Sequence, residues 1–138
     1  MQKGRTQMLE IGLQLTLTET VTEQNTAAAL GSGGLDVYAT PAMALLMEKT
    51  CYLCAQGALE AGRTTVGTAL DIQHLSATPV SMQVVCTGTL IGVEDRALTF
   101  EVTCSDAAGV IGKGVHRRFI VDGARFAAKA QSKAQKQA

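Results

Sequence analysis

A chain of 138 residues, 46% hydrophobic and 17% charged, has the size and composition of one globular domain rather than of a disordered segment. Its 12 basic and 12 acidic residues balance, only 4% of residues are aromatic and tryptophan is absent, which argues against a nucleic-acid-binding surface. The N-terminus lacks the apolar core of a signal peptide, and no apolar run approaches the ~20 residues of a membrane span, so we expect a cytoplasmic protein.

The first predicted element is a half-buried strand over residues 9–22. Leucine occupies every second position from Leu13 to Leu17 and polar residues stand between, as in a strand with one buried face. A second short strand is expected over residues 25–30. The glycine-rich segment 31–34 then interrupts regular structure and lacks the spacing of a dinucleotide-binding loop.

A long helix is predicted next. Thr40 and Pro41 resemble a helix start, with Thr at the N-cap and Pro at the first helical position, and the helix should run to about Glu60, before Gly62. At 100° per residue, most of its apolar and small side chains share one broad arc opposite a narrow polar stripe, so we expect a largely buried helix. The arc comprises Met43, Leu46, Met47, Thr50, Cys51, Leu53, Cys54 and Ala58, and the stripe comprises Lys49, Gln56 and Glu60.

Period-two alternation returns after the helix and predicts four strands in succession. Their ranges are 66–78, 81–93, 96–106 and 110–121, with hairpin connections at 93–96 and 106–109. One helix against five or six antiparallel strands is an α+β architecture. A single helix cannot cover such a sheet and its edges, so self-association is expected. The whole chain, 1–138, is expected to be one domain, with residues 1–8 and 127–138 as flexible tails.

The four cysteines are predicted to be reduced, because the protein is expected to be cytoplasmic. Cys51 and Cys54 form a C-x-x-C pair, but the pair lies inside the predicted helix rather than at its N-terminus, where redox pairs usually occur. No second pair stands at metal-ligand spacing. We therefore interpret Cys51 and Cys54 as buried packing residues and expect no metal site.

Glu48 and His74 are candidates for acid–base chemistry. On the helical wheel, Glu48 lies about 100° from the polar stripe, among small and apolar residues. This position fits either a solvated helix charge or a carboxylate kept in a pocket for a functional role. His74 could transfer protons near neutral pH or be an ordinary hydrogen-bonded strand histidine.

Two further segments could contact a substrate. His116 and Arg118 should face the same side of a strand, with Arg117 on the other, and could meet a phosphate or merely solvent. Gly67, followed by Thr68, could let a substrate approach the backbone and donate an N–H to a developing oxyanion.

Taken together, these residues resemble the fluoroacetyl-CoA thioesterase group of the hotdog-fold thioesterases over residues 9–133. The matching stretches are Ala39–Cys51, Val66–Pro79, Gly112–Arg118, and Phe126 with Lys129. The spacing of Thr40, Glu48 and His74 matches the Thr/Glu/His catalytic set of that family. The chain departs from it at residues 30–37, where the family's aromatic lid residue is missing, so an ordinary short or medium acyl-CoA is the expected substrate.

The resemblance implies a hotdog fold in which one long central helix is wrapped by a five- to six-stranded antiparallel sheet. It implies Thr40, Glu48 and His74 as catalytic residues and Gly67 as a ligand of the thioester carbonyl, without metal or cofactor. Thr68, His116 and Arg118 are the other expected substrate-binding residues.

A homodimer, or a tetramer of two dimers, is expected, with active sites at the subunit interface. We expect Gly67 of one chain to face Glu48 of the other. The alternative functions are a non-catalytic hotdog domain that binds acyl-CoA or another small ligand, and a dehydratase of the same fold.

Overall fold

The computed structural model describes residues 8–137, so the tail predicted for residues 1–8 lies outside it apart from Met8. Within this range the elements follow in the order β1 (Gln14–Thr20), α1 (Ala27–Leu30), α2 (Thr40–Gln56), β2 (Arg63–His74), β3 (Gln83–Glu94), β4 (Ala97–Asp106), β5 (Gly109–Asp122) and α3 (Gly123–Gln131). A 3-10 helix over Ser132–Gln137 ends the described chain. No helix in this part of the chain is long and apolar enough to cross a membrane.

The strands form one antiparallel sheet in the order β1-β3-β4-β5-β2, with α2 packed against one face. The predicted α+β class and the four strands after the helix are confirmed. Both predicted hairpins are present. Asp95 lies in the β3–β4 turn with φ 57°, and Gly109 lies in the β4–β5 turn with φ 142°. Strands β1 and β2 are left at the two edges of the sheet.

The core lies between α2 and the facing side of the sheet. Leu98, Phe100, Val102 and Cys104, predicted as one alternating set, are fully buried. Burial of a Leu, Phe or Val side chain contributes about 1.5–3 kcal/mol. Gly112 on β5 makes room for the helix, because a Cβ there would lie 2.5 Å from the Met43 sulfur. The cysteines Cys51, Cys54, Cys86 and Cys104 are buried and free, as expected.

The central helix is shorter than predicted. It ends at Gln56 rather than near Glu60, and it is accompanied by α1 and α3, so the description of one long central helix needs correction. Gly57 follows Gln56 directly, and glycine is a poor helix former. The Gln56 side chain then holds the start of β2, because its Nε2 donates to the Arg63 carbonyl at 2.9 Å. Leu53, placed in the buried arc, is 41% exposed.

One further expectation differs from the structure. Residues 25–30 contain helix α1 instead of a strand, because the Thr26 hydroxyl accepts a hydrogen bond from the Ala29 N–H and caps a helical turn. Residues 127–137, for which a flexible tail is expected, lie in α3 and the 3-10 helix that follows it, and α3 has no buried residue, so the flexibility of this tail stays a prediction. Alanine, lysine and glutamine are good helix formers, which accounts for the helix without a core contact.

Candidate active site

Thr40 and His74 meet where α2 begins and β2 ends. The Thr40 Oγ1 lies 2.8 Å from His74 Nδ1. The predicted N-cap role of Thr40 is wrong, because the N-cap position is Ala39 and makes no side-chain cap bond. The Thr40 hydroxyl is therefore committed to the imidazole rather than to the helix backbone.

The ring of Tyr38 supports this imidazole. Its centroid is 6.4 Å from that of His74, with the planes at 82°, and its hydroxyl donates to the Glu19 carboxylate. Burial and Glu19 raise the pKa of Tyr38, which keeps the hydroxyl protonated as a donor. Neither Tyr38 nor Glu19 was identified from the sequence; the only available signal was a tyrosine directly before the Ala39–Thr40 motif.

The His74 ring itself is half-buried. Burial lowers the pKa of His74 below its ordinary value of 6.5, so the imidazole is neutral at pH 7 and able to accept a proton. Its Nε2 is buried and has no hydrogen-bond partner within residues 8–137. An unsatisfied buried nitrogen costs about 1–3 kcal/mol and is typical of a functional site.

A cavity of about 320 Å³ opens beside this pair. Its walls include Thr40, His74 and Tyr38, together with Ser32 and Val37 from the loop between α1 and α2. The loop predicted to occupy the position of a lid thus borders the Thr40–His74 pair. Glu48 is not among the residues of this cavity.

Glu48 lies instead beside Gly67, farther along the same helix. A Cβ at Gly67 would stand 3.7 Å from Glu48 Oε2, 3.3 Å from His116 Cε1 and 3.4 Å from Arg118 Nη1. The missing side chain therefore leaves a small recess whose walls are a carboxylate, an imidazole edge and a guanidinium. These contacts lie within one chain, so Gly67 does not need a second chain to approach Glu48, contrary to the expected arrangement.

His116 and Arg118 form two of the walls of this recess. As predicted, they face the same side of β5, but His116 is fully buried and Arg118 is 8% exposed. His116 Nδ1 lies 2.8 Å from the Ala69 carbonyl, which can only accept, so Nδ1 carries the proton. Nε2 then accepts from Arg118 Nη1 at 3.0 Å. Burial, with a smaller effect from Arg118, lowers the pKa of His116 and keeps it neutral, as this arrangement requires.

Thr65 completes the support of Arg118. Its hydroxyl accepts from Arg118 Nε at 2.7 Å and its carbonyl accepts from Nη2 at 3.0 Å. The guanidinium carbon also lies 5.6 Å from the centroid of the Tyr52 ring, a cation–π contact. Thr65 was missed in the sequence, although it occupies the same side of β2 as Gly67, two residues away.

The backbone is irregular at this point of β2. Gly67 pairs with Arg118 and Ala69 pairs with Arg117, so Thr68 is an extra residue in the strand. Bulges of this kind are common beside active sites, where they redirect backbone groups. The hydrogen bond from His116 to Ala69 fixes the strand immediately after the bulge.

The candidate residues thus form two separate groups in one chain. Thr40 and Glu48 are two helical turns apart, about 12 Å along the axis and about 80° around it. No hydrogen bond joins Glu48 to Thr40 or His74 in the part of the chain that is described. Across residues 8–137, no three His, Cys, Asp or Glu side chains come together as a metal site.

Comparison with known proteins points to one family. The model of the family described as fluoroacetyl-CoA-specific thioesterase matches residues 21–124. The fluoroacetyl-CoA thioesterase of Streptantibioticus cattleyicolor is 37% identical over 98 residues, which are 71% of this chain and 70% of that protein.

Solved structures agree with this similarity. A structure of the fluoroacetyl-CoA thioesterase FlK superimposes with a TM-score of 0.85 at 31% identity, covering 92% of this chain and 98% of that one. A hot-dog-like protein from Thermanaerovibrio acidaminovorans has a TM-score of 0.83 at 17% identity, covering 89% and 91%. The latter comparison shows the hotdog fold alone.

Proposed function

The chain belongs to the family of fluoroacetyl-CoA-specific thioesterases and is a thioester hydrolase, and from that premise we propose that it cleaves a short or medium acyl-CoA to the free acid and CoA. The observation that carries this proposal is the Thr40–His74 hydrogen bond at the mouth of a cavity, inside the segment that matches the family. Residues 30–37 contain no aromatic side chain, so nothing in that loop favours a fluorinated acyl group.

Hydrolysis requires a base and a proton donor. The hydroxide part of water becomes attached to the acyl carbon, the carbon–sulfur bond breaks, and the CoA sulfur receives a proton. We assign the movement of protons to His74, which is neutral at pH 7 and in contact with the Thr40 hydroxyl. Glu48 acts as nucleophile or general base, and Thr40 assists through its hydroxyl.

The recess at Gly67 is proposed to receive the thioester carbonyl. Gly67 leaves space for the carbonyl, and Thr68 offers backbone groups displaced by the bulge. Arg118 supplies positive charge at the recess, beside Gly67 and Glu48. Because His116 is fully buried, its part in substrate binding is to hold Arg118 and the bulge rather than to touch the substrate.

Two copies are proposed to complete each active site. One chain holds Thr40 with His74 and Glu48 with Gly67 as separate groups, and β2, which carries both Gly67 and His74, is an edge strand. Because Thr68 is an extra residue in the strand, an antiparallel pairing of β2 with its copy, centred on Asp71, places Gly67 of each chain opposite the partner's His74. Each site would then use Thr40 and His74 of one chain and Glu48 and Gly67 of the other.

The exposed side of α2 supports this assembly. Leu45 and Tyr52 are 63% and 37% exposed and lie seven residues apart, on the same side of the helix. A two-fold partner would cover this apolar surface and remove the exposed strand edge together. A tetramer of two such dimers and a cytoplasmic location stay predictions.

The test of the proposed activity is a panel of acyl-CoAs. The purified protein should release free thiol, followed with a thiol reagent, and turnover should be fastest among short and medium acyl groups. Binding of acyl-CoA by calorimetry without thiol release across the panel would contradict hydrolysis and favour the alternative of a ligand-binding hotdog domain.

Two substitutions of Thr40 distinguish a role of its hydroxyl in turnover from a role of the residue in the stability of the helix. We expect Thr40→Ser to retain kcat within about tenfold of the parent, and Thr40→Ala to lose roughly a further tenfold or more, because only serine keeps a hydroxyl beside His74. As Thr40 makes no cap bond, Thr40→Ser should lie within about 0.5 kcal/mol of the parent in free energy of unfolding, and Thr40→Ala should lose about 0.5–1.5 kcal/mol with its bond to His74. Equal turnover of the two folded variants would remove the hydroxyl from the mechanism.

A further inference from the structure

A groove lies at the junction of β5, α3 and the β3–β4 hairpin, away from the residues discussed so far. Its volume is about 680 Å³, within the usual range for small-molecule sites. Its lining includes two aromatic and three cationic side chains: Phe119, Phe126, Arg96, Arg125 and Lys129. We refer to it as the α3 groove.

Aromatic side chains are unusually concentrated in the α3 groove. The chain contains three phenylalanines and no tryptophan, and two of the phenylalanines lie here, Phe119 38% exposed and Phe126 46% exposed. The third, Phe100, is fully buried in the core. Exposed aromatic rings in a concave site can stack on a flat ligand.

The charges of the α3 groove are mainly positive. Arg96, Arg125 and Lys129 contribute three cations against the single carboxylate of Asp122. That carboxylate is engaged by the helix, since its Oδ1 accepts from the Arg125 N–H and caps α3. In the described range none of the three cationic side chains forms an ion pair, so their charge is available to an anion.

We infer that the α3 groove binds the nucleotide end of CoA, with the adenine against the phenylalanine rings and the phosphates against the three cations. The inference rests on the proposed function, which supplies CoA as part of the substrate. A flat base joined to a 3′-phosphate and a diphosphate is complementary to this combination of rings and cations. Phe119 pairs with Val66, the residue before Gly67, so the α3 groove and the recess lie at the same level of the sheet, on its opposite faces.

A comparison of substrates with and without the nucleotide tests this inference. The double variant Arg125→Ala, Lys129→Ala should raise KM for acetyl-CoA at least about tenfold with kcat nearly unchanged. For S-acetylpantetheine, which lacks the nucleotide, kcat/KM should stay within about twofold of the parent. Adenosine 3′,5′-bisphosphate should inhibit the parent competitively against acetyl-CoA and inhibit the double variant at least about tenfold more weakly.

The matched control is Lys113→Ala, an exposed cation on β5 that lies in a different cavity with Asp71 and Glu101. It should leave both substrates unaffected. Equal losses on acetyl-CoA and S-acetylpantetheine, or no change on either, would overturn the inference. A change in molecular mass by light scattering in the double variant would also overturn it, by assigning the groove to contacts between copies.

Failure of the inference and failure of the proposed function give different results. If the parent hydrolyses both substrates and the double variant does not discriminate between them, only the α3 groove assignment fails. If the parent hydrolyses neither, the activity fails, while calorimetry with adenosine 3′,5′-bisphosphate still decides whether the α3 groove binds a nucleotide.

Discussion

Replacing Glu48 by Gln or His74 by Ala is expected to lower kcat by at least about 100-fold, the usual scale for the loss of an acid–base group. Gln keeps the shape of the carboxylate beside Gly67 and removes its charge. Ala removes the only imidazole in contact with Thr40 in the described structure. Thiol release from saturating acyl-CoA measures the loss, and circular dichroism establishes that each variant is folded.

The exposed hairpin residue Glu94 provides a matched control, because Glu94→Gln makes the same chemical change outside the site and should leave kcat unaltered. Near-normal turnover of a folded Glu48 or His74 variant would exclude that residue from the mechanism.

The pH dependence gives a second measure of His74. Burial lowers its pKa, so the neutral, proton-accepting form persists to a lower pH than for an exposed histidine. The acid limb of kcat/KM in the parent should therefore have its midpoint below 6.5, with activity lost as the pH falls through it. A histidine-dependent limb centred above 6.5 would contradict this prediction.

Mixing two inactive variants is expected to restore about a quarter of the parent activity. Random exchange of subunits between Glu48→Gln and His74→Ala dimers makes about half of the dimers mixed. In a mixed dimer one site receives both substitutions and the other receives neither, so one site in two is intact. The recovered rate should rise from about 1% toward 25% of the parent, and should follow the fraction of mixed dimers measured by native mass spectrometry.

A second mixture supplies the control. Glu48→Gln and Gly67→Leu both damage the group formed by Glu48 and Gly67 in one chain, so every site of their mixed dimer is damaged. This pair should recover no activity. A monomer by light scattering, or equal results from the two mixtures despite proven exchange, would refute the shared site.

Local sequence patterns were sufficient for most of the architecture. Alternation in β1 and in the last three strands, the two hairpin turns and the start of the long helix at the Thr40–Pro41 segment can all be predicted from neighbouring residues. Such patterns succeed because the side-chain directions of a strand or helix repeat every 2 or 3.6 residues. The motif around Thr40, Glu48 and His74 likewise identified the family without a structure.

The errors occurred where a single residue or hydrogen bond, rather than the periodicity of the segment, decided the outcome. A short strand is expected over residues 25–30, but the Thr26 hydroxyl caps a helical turn there. Thr40 has the sequence of an N-cap, yet its hydroxyl bonds an imidazole 34 residues away. Gly57, a poor helix former, caps α2 and ends it before the predicted end near Glu60.

The sequence alone thus determined the fold class, the order of the strands along the chain and the identity of the candidate catalytic residues, because each depends on local periodicity or on a recognisable motif. The tertiary structure alone decided how these residues are grouped. Helix α2 separates Thr40 from Glu48, and the β2–β5 register brings Gly67 over His116 and Arg118. The sheet order leaves one side of β2 as an open edge of the described sheet. These are juxtapositions of residues distant along the chain, which arise from the packing of whole elements and which no local pattern encodes.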